Sequence, residues 1–174
     1  MAALILHLIR HPRPLVAPGI CYGALDVAAE DPPAVAAALR GELPPGLPLW
    51  SSPLRRCREL AEELHPRPAF DQRLREMDFG AWEGRPWDDI PRGELDAWAA
   101  DVAGYAPPGG ESPLALQCRV LDFVASLTVA EAVLVTHAGV IRSLHAWANG
   151  RPIAECLDFR PAYGSRTTLA LPAA

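Results

Sequence analysis

Residues 3–9 are almost all apolar, and the run Leu4-Ile5-Leu6-His7-Leu8-Ile9 ends abruptly in Arg10 and His11. A run of this length and composition reads as a strand buried on both faces, the kind found in parallel sheets with helices on either side. Pro12 and Pro14 stop it. A strand that delivers an arginine and a histidine at its C-terminal end points them into the crevice where open α/β sheets bind ligands.

The remaining sequence supports an α/β chain. Pro12 to about Pro33 is a loop containing Gly19-Ile20-Cys21-Tyr22-Gly23 and Leu25-Asp26-Val27. Ala34–Leu43 is an alanine-rich helix, opened by Asp31-Pro32 and closed by Pro44-Pro45. Leu47–Ser51 reads as a second strand. Ser52 is the expected N-cap, with Pro53 at N1 of a helix to about Leu64. Phe70–Leu74 is read as a third strand, leading into a glycine-broken stretch from Arg75 to Gly84. Trp87–Ala100 reads as helical. Glu111-Ser112-Pro113 starts another helix, with Leu114, Leu116, Val120, Leu121 and Val124 on or near its buried side. Ala132–Thr136 is a β-branched strand ending in His137-Ala138-Gly139, and a helix from Val140 to Asn149 follows, closed by Gly150. Ser165–Leu171 is the last strand. Strands alternating with helices imply βαβ units and a mostly parallel sheet.

Composition narrows the function. At 174 residues with half of them hydrophobic, one globular domain spanning 1–174 is the default. A net charge of −5 argues against a broad nucleic-acid surface but not against a small cationic pocket. All 16 basic residues are arginine, which removes the lysine of a phosphate-binding loop and any Schiff-base lysine. Cys21, Cys57, Cys118 and Cys156 are scattered without a CxxC pair, so neither zinc nor a disulfide framework is expected. His11 and His137 lack the neighbouring ligand spacing of a metal site. No segment approaches the length of a membrane span, and the expected location is the cytoplasm. The sequence leaves a homodimer open.

Two strands share one signature: an apolar run ending in a polar residue and then histidine, Arg10-His11 and Thr136-His137. In a parallel sheet both histidines emerge at the same edge. The helix after His137, beginning near Ala138, offers free N–H groups to an anion. Arg56 lies on a helix just past another strand end. Such a pocket suits a phosphoryl group, whose transfer depends on positioning and charge stabilisation. Arginine presents a planar fork to phosphate oxygens. A neutral imidazole attacks phosphorus, and neighbouring arginines keep it neutral. His11 is therefore the candidate nucleophile, with Arg10 and Arg56 on the phosphate. A departing alkoxide needs a proton, and a carboxyl beside a phosphate dianion holds its proton for that task. Glu76 is the candidate.

These residues resemble the histidine phosphatase superfamily, the phosphoglycerate-mutase-like enzymes. Leu8-Ile9-Arg10-His11 is similar to its nucleophile motif, and Ser51-Ser52-Pro53-Leu54-Arg55-Arg56-Cys57 to its second motif. The stretch from Leu74 through Glu76 to Gly84 is similar to its acid motif. Gly109-Gly110-Glu111-Ser112 and Thr136-His137-Ala138-Gly139-Val140-Ile141-Arg142 complete the series in order. The resemblance implies a three-layer α/β/α fold and a phosphatase or mutase that needs no cofactor or metal. It makes His11, Glu76 and His137 catalytic and Arg10 and Arg56 phosphate-binding, with Tyr22 and Ala138 further substrate contacts. Cys21-Tyr22-Gly23 followed by Leu25-Asp26-Val27 is similar to the α-ribazole phosphatases of cobalamin biosynthesis. The expected partner is a small phosphorylated metabolite.

The chain departs from the family pattern at Pro12, where glycine is usual, and at Ala17, where many members carry asparagine. Proline removes one backbone donor to phosphate. Rival readings are a phosphoglycerate mutase, a broad sugar-phosphate phosphatase and a phosphate-binding protein without activity. Several residues have plainer readings. Arg55 and Arg58 are read as a solvated helix face. Asp78 and Glu83 compete with Glu76. His7 is read as packed, His65 and His145 as structural or exposed, and Arg142 as one half of a structural salt bridge. Trp82, Trp87, Trp98 and Trp147 are read as core or lid packing.

Overall fold

A computed structural model of the chain describes residues 3–171. The strand opened by the N-terminal apolar run, β1 (Leu4–Arg10), lies inside a five-stranded sheet. The other strands are β2 (Leu49–Ser51), β3 (Ala69–Phe70), β4 (Glu131–Thr136) and β5 (Arg166–Leu171), in the order β3-β2-β4-β1-β5. β1, β2, β3 and β4 run parallel, and β5 returns antiparallel along β1. Helices cover both faces, giving the expected three-layer α/β/α arrangement. Successive side chains of β1 alternate between those layers. Leu6 and Leu8 pack with Leu134 against α4 (Pro113–Ala125) and α5 (Ala138–Ala148). Ile9 packs with Val133 and Val135 against α1 (Pro32–Arg40) and α2 (Arg55–Leu64). His7 is packed as expected, its ring 2.8 Å from Glu131 and 3.1 Å from Thr168.

Four expectations are corrected. Of the expected third strand only Phe70 pairs, with Ala69 before it; the Asp71 carboxylate accepts from Arg73 N at 2.8 Å and turns the chain into a 3-10 turn over Gln72–Leu74. The second helix starts at Arg55 rather than Pro53, because Ser52 N still pairs with the Val135 carbonyl at 3.0 Å. Trp87–Ala100 is not one helix. Trp87–Asp89 is a 3-10 turn, Ile90 is extended ahead of Pro91, and α3 spans Arg92–Ala100; the residue before a proline avoids the helical region. Leu114, in the first turn of α4, faces solvent. The other helices begin or end a few residues from the expected points, with α1 capped by Asp31 and α4 by Ser112.

No helix among the described residues is long and apolar enough to cross a membrane. The register aligns Arg10 with Thr136 and Ser51 with Val135, so β1, β2 and β4 finish at one edge. His11, Ser52 and His137 are the next residues of their strands.

Candidate active site

Three of the candidate groups are buried at that edge: His11, Arg56 and His137. His11 N donates to the Thr136 carbonyl at 3.0 Å, continuing the strand pairing by one residue and bringing the two imidazoles together, ring centres 5.1 Å apart. His11 Nδ1 lies 2.6 Å from the Pro12 carbonyl. A carbonyl only accepts, so Nδ1 carries the proton and, in the neutral ring, Nε2 keeps its lone pair. Burial, then the Arg56 and Arg10 charges, bring the His11 pKa down to about 3, against the raising effect of the Pro12 bond. Burial, Arg56 and His11 hold His137 well below the ordinary histidine range. His137 Nε2 and Ser52 Oγ share a hydrogen bond at 2.8 Å, and Cys57 Sγ lies 3.4 Å from the same nitrogen. Ser52 therefore serves the site rather than capping α2.

Arg56 is fully buried while Arg55 and Arg58 are exposed, which singles it out on its helix. It donates to the Gly23 carbonyl at 2.6 Å and the Leu25 carbonyl at 2.7 Å, with no partner at Nε among the described residues. Arg10 donates to the Pro161 carbonyl at 2.7 Å, again with Nε unpartnered. Tyr22 packs its ring 5.4 Å from the Arg56 guanidinium carbon. Burial, then its bond to Tyr163, raises the Tyr22 phenol well above its usual pKa.

Glu76 docks at the start of α5. Its carboxylate accepts from Gly139 N at 3.1 Å and Met77 N at 2.9 Å. Ala138 is the first residue of that helix, directly after His137. The rivals of Glu76 are engaged elsewhere. Glu83 accepts from Gly23 N, Ala24 N, Leu25 N and Phe79 N, between 2.8 and 3.2 Å, and fixes the loop that holds Arg56. Asp78 accepts from Gly80 N at 2.8 Å. Arg142 donates to the Phe159 carbonyl at 3.2 Å and, among the described residues, does not form the expected salt bridge. Glu111 of the Gly-Gly-Glu-Ser motif pairs with Arg119, which donates to the carbonyls of Arg73, Arg75 and Glu76 and so fixes the loop carrying Glu76. Trp82, Trp87 and Trp98 pack with one another, and Trp82 stacks on Tyr105.

Tyr163 was not among the candidates. It sits 5.6 Å from the His11 ring and 3.9 Å from the Arg10 guanidinium carbon, and its hydroxyl meets that of Tyr22 at 3.0 Å. The only sequence signal was its place shortly before the last strand, and that needed the strand's direction. With Tyr22 it also borders a cavity of about 630 Å³ lined by Arg13 to Ile20 and Glu30. Ala17 is in that wall. No group of three or more histidines, cysteines or acids among the described residues is placed to hold a metal ion.

The model of the histidine phosphatase superfamily (branch 1) matches residues 19–173. A glucosyl-3-phosphoglycerate phosphatase of Mycobacterium tuberculosis is 37% identical over 142 residues, 70% of this chain and 62% of that protein. The chain thus spans about three fifths of the length of the curated relatives it matches first. Among solved structures, a phosphoglycerate mutase from Thermus thermophilus superposes with a TM-score of 0.79 at 32% identity, covering 98% of this chain and 100% of that one. A mycobacterial glucosyl-3-phosphoglycerate phosphatase superposes with a TM-score of 0.80 at 30% identity, covering 95% and 89%. The order of the motifs, the sheet edge they share and these likenesses agree: the chain belongs to the histidine phosphatase superfamily, branch 1.

Proposed function

We propose that the protein is a phosphomonoesterase working through a covalent phosphohistidine. The observation that carries this reading is the convergence at one sheet edge of a neutral, oriented His11, a second buried imidazole and two buried or half-buried arginines. Arg10 and Arg56 hold the phosphate oxygens and offset the charge that builds on them. His11 Nε2 attacks phosphorus as the ester P–O bond breaks. Glu76 gives its proton to the departing alkoxide oxygen. Water then attacks the phosphohistidine, Glu76 takes a proton from it, and His11 and phosphate are released. His137 and the N–H groups that open α5 at Ala138 lie at the same edge and serve the transferring group.

The preferred substrate in this reading is α-ribazole 5′-phosphate or a similar small ester, taken with the leaving group in the cavity beside Tyr22 and Tyr163. Support comes from Cys21-Tyr22-Gly23, from the aliphatic lining between Pro14 and Ile20, and from a volume of about 630 Å³. That exceeds the need of a three-carbon leaving group and sits in the roughly 300–1,000 Å³ range of pockets for whole small organic molecules. Glucosyl-3-phosphoglycerate is the second reading, favoured by the named relatives and by Arg13 on the cavity wall. Turnover of both esters and of 3-phosphoglycerate by purified protein separates these; equal, slow turnover of all three counts against either specific substrate. Rapid mixing with labelled ester traps an acid-labile phosphoenzyme in the wild type and none in His11→Ala. A phosphoenzyme in His11→Ala ends the assignment.

A further inference from the structure

We infer that Tyr163 is a positioning residue for Arg10, and that the Tyr22–Tyr163 hydroxyl pair ties together the two arginines proposed to hold phosphate. The inference rests on the phosphatase reading above and goes beyond it to how the two phosphate-holding arginines are themselves held. Arg10 leaves the end of β1 with a long, rotatable side chain. Two groups restrain its guanidinium. The Pro161 carbonyl accepts from Nη1 at 2.7 Å, and the Tyr163 ring lies 3.9 Å from its central carbon. A cation over an aromatic face is held by the ring quadrupole and keeps its in-plane N–H groups free for an anion. Both restraints come from the loop just before β5. The same ring stands 5.6 Å from His11.

The second arginine is reached through Tyr22. The two hydroxyls meet at 3.0 Å, and the Tyr22 ring faces the Arg56 guanidinium carbon at 5.4 Å. Arg10, Tyr163, Tyr22 and Arg56 thus form one continuous arc, running from the loop before β5 to the loop after β1 and on to α2. The arc sets how far apart the two guanidiniums stand. Both tyrosines also line the large cavity. Tyrosine at both positions supplies a ring for stacking and a hydroxyl for the joint. Phenylalanine supplies only the ring.

The test measures inhibition by inorganic phosphate with p-nitrophenyl phosphate as substrate. Tyr163→Leu removes the ring, and the phosphate inhibition constant and KM rise about ten-fold, while Tyr163→Phe keeps the ring and stays within about three-fold of wild type. Tyr22→Phe and Tyr163→Phe break the same hydrogen bond, so the double variant is no weaker for phosphate than the worse single one. Unchanged phosphate inhibition in Tyr163→Leu overturns the positioning role. Additive losses in the Phe pair, which need no ring removed and so no large repacking, overturn the joint. Failure of the phosphatase reading is separately visible, as turnover of p-nitrophenyl phosphate that survives in His11→Ala.

Discussion

The Nδ1 proton of His11 is committed to the carbonyl of Pro12, its own neighbour in sequence. The proline costs the site a backbone donor, yet its carbonyl fixes the imidazole tautomer that leaves Nε2 free. Glu76 depends on an equally local circumstance. A Cβ placed on Gly139 would stand 2.2 Å from Glu76 Oε1. Gly139→Ala therefore displaces the carboxylate rather than the backbone. It removes a glycine from a helix, a change worth up to about 1 kcal/mol in favour of folding. The helix gain is set against the lost Gly139 N–Glu76 bond, so the expected result is a melting temperature no higher than wild type with kcat lowered on the order of 100-fold, the usual range for losing a general acid. Wild-type kcat in that variant would show that Glu76 does not act from this position.

At the scale of elements, the loop after β1 and the turn around Phe79 are joined through a single side chain. Both carboxylate oxygens of Glu83 are used, each accepting two backbone N–H groups. Glu83→Gln replaces one oxygen with an amide NH₂ that faces donors instead of accepting from them. Hydrogen bonds to a charged group contribute about 1.5–3 kcal/mol each, so the variant melts several degrees lower. The Gly23 and Leu25 carbonyls that hold Arg56 lie in the same loop. KM for phosphate esters should rise by roughly ten-fold. A melting temperature and KM equal to wild type would show that the loop holds its shape without the clamp. The sequence reading weighed Glu83 only as a rival of Glu76, because a loop carboxylate gives no hint of which amides will turn toward it.

Across the whole molecule, the strands and the site divide sharply in how legible they were. Arg10, His11 and His137 stand out because a polar residue at the end of an apolar strand has few reasons to be there, while Arg56, on a helix, and Glu76, in a loop, stand out through the motifs they resemble. The layers follow from the alternation of Leu6 and Leu8 with His7 and Ile9. What could not be read depends on partners far away in sequence. Ser52 looks like a helix cap until Val135 and His137 claim it, and Tyr163 acquires meaning only once β5 runs antiparallel to β1. The buried imidazoles also bear on the stability of the fold. Above the ordinary histidine pKa, neither the folded nor the unfolded state carries these protons. Between about 6.5 and about 3 the unfolded chain binds a proton at His11 that the folded chain refuses. Stability therefore falls as pH drops through that window, by about 1.4 kcal/mol per pH unit for one such group, and His137 acts in the same direction. Urea unfolding at pH 7, 5.5 and 4 should show a steeper loss in wild type than in His11→Gln. Parallel trends would place the acid sensitivity elsewhere.

β5 is the one strand of the sheet that runs backward, and its docking is what brings the restraints on Arg10 into place. His11 and Arg10 belong to the first strand, but the carbonyl and ring that steady Arg10 arrive only with the segment leading into the last. During refolding, a species with its four parallel strands joined and β5 undocked would possess the reactive groups without a steady grip on the anion. Recovery of turnover would then lag behind recovery of helix signal, and enzymatic activity would report when the final strand seats.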